Sequence, residues 1–438
     1  DAQESRGLGD VYKRQVYIKK EGLIMKGDID LDIDSEIPEK PLTGRKHISI
    51  LIGAGFSAPQ GYPIGNTLNE NILNFEKYNV DFSPSGVLCS LTTGEKPAFQ
   101  EEGILNQHQK HFVFCKRLIK KYTETHKFDY EEFYDFIKSE EVYNSCYETL
   151  CEDLLDEYTD YGSFVFSLPD IYNQMVRFLL RDKDGNSFYE NQPFHIGFVE
   201  HYDGFLKYLS HLKEDNIIDV HTLNHDLLFE SFNKTEYING SISDGFDEYG
   251  SEFYGILNRD NATYHCRLER YTARYDAPIR LYKLHGSLDY VPYYKTVENN
   301  FMIPIKYVKI REGIGVSDLL RGIRSKMGYE SCPIAYHADF LTGTTSKIER
   351  YNNPLLFKKL FKRFRKNLRN AEKLIIIGYG CKDEGINKMI LENFDFAHKS
   401  TYIFDKYAGD KVRDFGKKLS AKVIDGIEIE DIVPEMFQ

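Results

Sequence analysis

The chain has 438 residues, 41% hydrophobic and 28% charged, enough for two to three domains or one large domain carrying an insertion. A formal net charge of −12, from 56 basic and 68 acidic side chains, argues against a broadly basic surface, so direct nucleic-acid binding is not expected. No apolar run approaches the roughly 18–20 residues that span a bilayer and no signal-peptide pattern opens the chain, so a cytoplasmic protein without a membrane partner is expected.

Residues 1–44 read as an extension or arm. DAQESRGLGDVYKRQ lacks apolar periodicity and resembles appended sequence, Met25 is the first methionine, and an acidic lead-in follows. The first strong strand is HISILIG, 47–53, followed by the turn GAGFSAPQGYPIG and a helix over 66–78 with Leu68, Ile72, Leu73 and Phe75 near helical spacing. From 81 to 214 the pattern becomes helical. Tyr130, Phe133, Tyr134 and Ile137 form one stripe. Pro169-Asp170 opens another helix with Ile171, Met175, Phe178 and Leu179, and a third carries Tyr202, Leu206, Leu209 and Leu212. Such aromatic stripes are core surfaces of an inserted helical segment.

Strands then return. NIIDVHTLNHDLLFE reads as strand, polar turn and helix start, and IRLYKLHGSLDY as a strand ending at His285-Gly286. A helix opened by Pro354 precedes the apolar strand 374–377 and a glycine turn, and STYIFDK ends in Asp405. In the basic run KKLFKRFRK, 358–366, Leu360, Phe361 and Phe364 supply a buried face and leave the cations in solvent. Strands alternating with helices predict an α/β fold: a Rossmann-like, doubly wound, mostly parallel sheet over 45–80 and 215–410. The helical insertion would occupy 81–214 and a C-terminal segment 411–438. Cys89, Cys115, Cys146, Cys151, Cys266, Cys332 and Cys381 are scattered without a C-x-x-C pair, so neither zinc nor a disulfide framework is expected. His221, His225 and His285 have no patterned carboxylate or thiol partner that would make them a metal site.

Four stretches could carry chemistry. Gly53-x-Gly55-x-x-Ala58 after a strand fits the dinucleotide fingerprint: Gly53 for the tight turn, Gly55 for close approach to a pyrophosphate, Ala58 for helix packing. Asp81 is the only acidic residue in place for the ribose of a dehydrogenase cofactor, and no good strand precedes it, so hydride transfer fits poorly. In HTLNHD, Asn224 and Asp226 offer an amide and a carboxylate at a strand end, or an Asx-turn and a helix cap. In KLHGS, His285 stands where a ligand could reach an imidazole that titrates near neutrality. In LIIIGYGCKDEGINKMI, Gly378 and Gly380 make a second close turn and Asp383 can cap the next helix.

In this order the four resemble the sirtuin family of NAD-consuming enzymes, over roughly 45–80 and 215–410, and GYPIG resembles the family's G-I-P segment. The resemblance implies that NAD is the substrate. Ala54, Gly55 and Ser57 would line its pyrophosphate and ribose, with Gly53, Phe56, Thr222 and Tyr379 also among the NAD-contacting positions. Gly378 and Asp405 would hold the adenosine end. Asn224 and Asp226 would serve the nicotinamide ribose and the carboxamide pocket, and His285 would be the catalytic histidine acting on a ribose hydroxyl. Two departures weigh against protein deacylation: the two C-x-x-C zinc pairs are absent, and Pro63 is followed by Ile64, Gly65 and Asn66 instead of an F-R pair. The chain looks more like the zinc-free sirtuin-like NAD hydrolases of bacterial anti-phage defence. A homo-oligomer, and a nucleic-acid motor ATPase or other defence protein as partner, follow from that likeness alone. A protein deacylase and a non-catalytic NAD or ADP-ribose sensor are the alternatives.

Overall fold

The structure, a computed structural model, describes residue 42 and residues 44–437 except 84–85, 92–105, 145, 156–159, 189–199, 298–300, 312, 321, 326–327, 335–338, 341, 344–346, 348–350, 352 and 354. The expected acidic arm and Pro354 lie outside the described residues.

Seven strands form the main sheet: β1 (Lys46–Ile52), β2 (Asn216–Thr222), β3 (Ile242–Ser243), β4 (Ile279–Lys283), β5 (Ala371–Ile377), β6 (Ser400–Asp405) and β7 (Lys422–Asp425). Their spatial order is β7-β6-β5-β1-β2-β4-β3, and every pairing is parallel. This is the predicted Rossmann-like doubly wound sheet. Its strands are near-continuous runs of Ile, Leu and Val because helices cover both faces.

Alternation along β1 assigns those faces. Ile48, Ile50 and Ile52 join one core with Ile218, Val220 and Ile375, sealed by helix α5 (Asp203–Asp215) through Phe205, Leu206 and Leu209. Leu51 points to the other core, where Leu374, Ile376 and Ile403 meet Leu360, Phe361 and Phe364 of helix α6 (Phe357–Asn370). The basic run thus lies on a helix whose apolar stripe is buried. Helices α7 (Glu384–Asn393) and α8 (Asp410–Lys418) complete that layer through Ile386, Ile390, Val412 and Phe415. The segment 411–438 also contributes β7, an edge strand.

A third core holds α1 (Gly65–Leu73), α2 (Gln107–Tyr122), α3 (Tyr130–Ile137) and α4 (Leu168–Leu179). Phe114, Phe133, Tyr172 and Met175 are among its fully buried residues. The α2 start is a capping box in which Asn106 accepts from the Gln109 N–H and the Gln109 side chain accepts from the Asn106 N–H. The same core includes Val291 and Val308 from a four-stranded antiparallel sheet made of 245–247, 269–274, 290–297 and 301–309. The sequence reading contained no such sheet. Asp81, meanwhile, lies in a three-residue strand of a small hairpin, Val80–Phe82 with Leu88–Ser90, and accepts a hydrogen bond from Gln109.

Candidate functional site

The strand order reverses between β1 and β5, so the carboxyl ends of those strands flank the crevice where ligands of doubly wound sheets gather. Here the two glycine turns meet. The Gly53 N–H donates to the Ile377 carbonyl at 3.0 Å and the Gly55 N–H to the Gly378 carbonyl at 2.9 Å. A Cβ on Gly378, whose φ is +60°, would lie 2.4 Å from the Phe56 nitrogen, and one on Gly53 would lie 2.7 Å from Tyr379 Cα. These glycines are needed because one turn packs backbone-to-backbone on the other. The Phe56 N–H is also engaged, by the Gly53 carbonyl at 2.9 Å. Three N–H groups expected to face a pyrophosphate are therefore bonded inside the protein, and Ala54 beside them is exposed.

The remaining residues of this group divide into wall and core. The Phe56 side chain is buried among Tyr202, Phe205, Phe229 and Phe232, and the Tyr202 hydroxyl donates to its carbonyl at 2.6 Å. Only the backbone of Phe56 is left to meet a ligand. Tyr379 is likewise buried, its hydroxyl donating to the Asp383 carbonyl and to Asn387 Oδ1, both at 3.0 Å. Asp405, at the end of β6, accepts from the Tyr407 N–H, and burial raises its carboxyl.

Strands β2 and β4 place the polar groups. Thr222 and Lys283 are paired in register, so Asn224 and His285 each follow two residues after a matched pair on neighbouring strands. The Leu284 N–H donates to the Thr222 carbonyl and the Leu288 N–H to the His225 carbonyl, tying the two following loops together. The Asn224 amide donates to the Gly53 carbonyl at 3.0 Å and to Ser57 Oγ at 2.9 Å, and the Asn224 N–H donates to Thr222 Oγ1 at 3.0 Å. That anchorage spends its NH₂ group and leaves Oδ1 to accept. Ser57 and Thr222 are thus buried supports for Asn224.

Asp226 is buried and accepts the Leu228 N–H at 3.0 Å, an Asx-type turn leading into the short helix Leu228–Ser231. Burial raises its carboxyl, against the pull of nearby Lys283. Lys283 is 1% exposed, donates to the Asp226 and His225 carbonyls and pairs with Glu230 at 3.0 Å. A lysine closing an apolar strand was a visible signal, yet the sequence reading did not single it out.

His285 is buried and its ring nitrogen Nε2 stands 3.4 Å from Asp383 Oδ2. Gly286, with φ +87°, is obligatory because a Cβ would lie 2.5 Å from the Asp339 carbonyl. Burial and the Lys347 cation lower the imidazole's affinity for a proton, and Asp383 opposes them. Lys347, itself buried, lies 3.7 Å from the same carboxylate oxygen and 2.5 Å from Glu131 of α3. Burial pushes the Asp383 carboxyl up, but His285, Lys347 and the Ile386 N–H outweigh it and hold the group well below the usual range. His225 stacks near Phe340, its ring centre 6.4 Å from that of His285, and burial drives it to the neutral form. Among the described residues, no group of three or more His, Cys, Asp or Glu is arranged to hold a metal ion. Nor is any described helix long and apolar enough to cross a membrane.

No family model matches the sequence, and no curated protein matches it. Solved structures of Sir2 enzymes are similar over most of the chain. One, from work on the mechanism and regulation of Sir2 enzymes, is 12% identical, covers 90% of this chain and 92% of its own, and has a TM-score of 0.33. A Sir2 homologue in complex with NAD is 11% identical over 90% of this chain and 89% of its own, with a TM-score of 0.32. A Sir2 bound to acetylated peptide is 9% identical over 89% and 90%, with a TM-score of 0.29.

Proposed function

We propose that the protein binds NAD at the carboxyl end of the main sheet and hydrolyses its nicotinamide–ribose bond. The observation that carries this reading is the pairing of Asn224 and His285. They follow matched positions of β2 and β4, and Asn224 is held by the glycine turn at the end of β1. The buried groups nearby suit a polar ligand. His225 Nδ1 and the Tyr62 hydroxyl lack hydrogen-bond partners, and a buried polar atom without one is costly unless something supplies it.

The leaving nicotinamide is neutral, so no general acid is needed for it, and the difficulty is the positive charge that grows on the ribose. Asn224 Oδ1 accepts from a ribose hydroxyl or the attacking water and fixes its direction. His285, neutral in its buried site, is ready to take a proton from a ribose hydroxyl. Asp226 holds the carboxamide. With Gly53, Gly55 and Phe56 donors engaged, the pyrophosphate rests on the exposed face of the turn at Ala54 and on the Gly378 side, with the adenosine end toward Asp405.

Incubating purified protein with NAD tests this directly: free nicotinamide should accumulate without any peptide, and the Asn224→Ala and His285→Ala proteins should stay folded and release none. Nicotinamide release that requires an acyl-peptide would favour a deacylase instead. Binding of NAD with no release would favour a sensor. A role as a cytoplasmic anti-phage effector that depletes NAD, self-assembly, and a motor ATPase or other defence partner remain parts of the proposal. So does the division into an arm, a discontinuous NAD-binding domain, a helical insertion and a C-terminal segment. Measuring the mass of the purified full chain in solution tests self-assembly, because a monomer would count against it.

A further inference from the structure

Asp383 does two things with two oxygens. Oδ1 accepts the Ile386 N–H at 3.0 Å and so caps α7. Oδ2 is not used by the cap. It lies 3.4 Å from His285 Nε2 and 3.7 Å from Lys347 Nζ, and neither it nor Nε2 has a hydrogen-bond partner of standard geometry. The two side chains are 15% and 6% exposed, so water does little to screen them. A helix cap needs only one acceptor, and Asn or Ser would serve as well as Asp. The second oxygen, aimed at the one imidazole that closes β4, asks for another explanation.

We propose that Asp383 is a positioning residue for His285, holding the ring through its Nε2–H so that Nδ1 is the nitrogen turned toward a substrate hydroxyl. The proposal rests on the NAD-cleaving reading above and deepens it. A carboxylate accepts only, so it selects the tautomer that carries the proton on Nε2. When the ring takes a proton from a hydroxyl, one O–H bond breaks and one Nδ1–H bond forms. The Nε2–H stays in place, and the new positive charge faces a carboxylate already present. A separation of 3.4 Å is long for this bond and shortens when substrate closes the site. Lys347 bears on the same oxygen and works in the opposite sense, since its cation disfavours an imidazolium. The other groups facing His285 are Glu131 on α3 and His225 in the turn after β2, with Tyr351 beside Asp383.

Two single substitutions in the full chain separate this from a structural role. Asp383→Asn keeps the cap and removes the charge, and Lys347→Met removes the opposing cation. The chain labelled with ¹³C-histidine reports the titration midpoint of His285, assigned with His285→Gln. The midpoint should drop by about 1 unit in Asp383→Asn and rise in Lys347→Met. In Asp383→Asn, kcat for nicotinamide release at pH 7 should fall by about 100-fold with KM little changed. A His285 midpoint unmoved by Asp383→Asn overturns the pair whatever the NAD assay shows. Wild-type turnover in Asp383→Asn also overturns it. A shifted midpoint in a protein that never cleaves NAD upholds the pair and removes the NAD reading instead. Should Asp383→Asn fail to fold, Lys347→Met decides, and an unmoved midpoint there overturns the proposal.

Discussion

The two sides of the crevice are built on opposite principles. On the β1–β5 side, the backbone is satisfied by backbone: Gly53, Gly55 and Gly378 let two turns interlock, the Gly53 and Gly55 N–H groups are consumed in doing so, and the Gly378 N–H bonds the Phe404 carbonyl of β6. On the β2–β4 side, side chains carry the interactions, and several buried polar atoms are left open: His285 Nε2, His225 Nδ1 and Ser287 Oγ. One side supplies shape and the other supplies chemistry. Glycine motifs at a switch point therefore need not mean that the glycines touch the ligand.

That contrast makes substitutions on the two sides fail differently. The largest effect belongs to the chemical side: His285→Ala or Asn224→Ala should lower nicotinamide release by about 10²- to 10⁴-fold with the urea midpoint little changed, read by discontinuous nicotinamide assay. Retained turnover in both would remove the distinction. Next comes the shape side. Gly378→Ala puts a Cβ into the opposite turn at positive φ and should lower unfolding free energy by about 2–4 kcal/mol, measured by urea denaturation.

Acid should also act through the buried sheet beneath the site. His221 is pushed down to about 4 by burial and sits between Ser49 Oγ and Asn367 Nδ2. It stays neutral in the fold while the unfolded chain is protonated below about 6.5. Its contribution is complete above that pH and is lost as pH falls toward about 4, a change of up to about 3 kcal/mol. His221→Gln should flatten this part of the pH–stability curve, seen as smaller shifts in urea midpoint between pH 7 and pH 4.5. The smallest effect is Tyr202→Phe, which removes the hydroxyl from the Phe56 carbonyl and should cost about 1 kcal/mol by the same measurement.

Much of the sheet was readable locally. HISILIG, NIIDVHT, IRLYK and LIII are apolar runs closed by glycine or polar turns, and the structure makes each a parallel strand. His285, Asn224 and Asp226 could be named because short motifs at strand ends report where a ligand can sit. The pairings among them could not be read. Asp383 looked like a cap and is one; its second oxygen meets His285 only because β4 and the turn after β5 converge in space. Lys347 and Glu131 lie in a connecting segment and a helix with no motif, so nothing local announced their meeting. The antiparallel sheet was missed for a related reason: runs such as ERYTAR and FMIPIKYVK mix polar and aromatic residues, and their partners are set by tertiary contact.

The pairing of β1 with β5 has a consequence for how the molecule comes into being. The strand Lys46–Ile52 leaves the ribosome well before its neighbour Ala371–Ile377, with the whole of β2, β3 and β4 made in between. Until then one edge of β1 is bare and the Gly53 turn has nothing to interlock with. A contact so distant in sequence closes late and slowly. Nascent and prematurely released chains are thus without a working crevice, and whatever the finished protein does to its ligand cannot begin during its own synthesis.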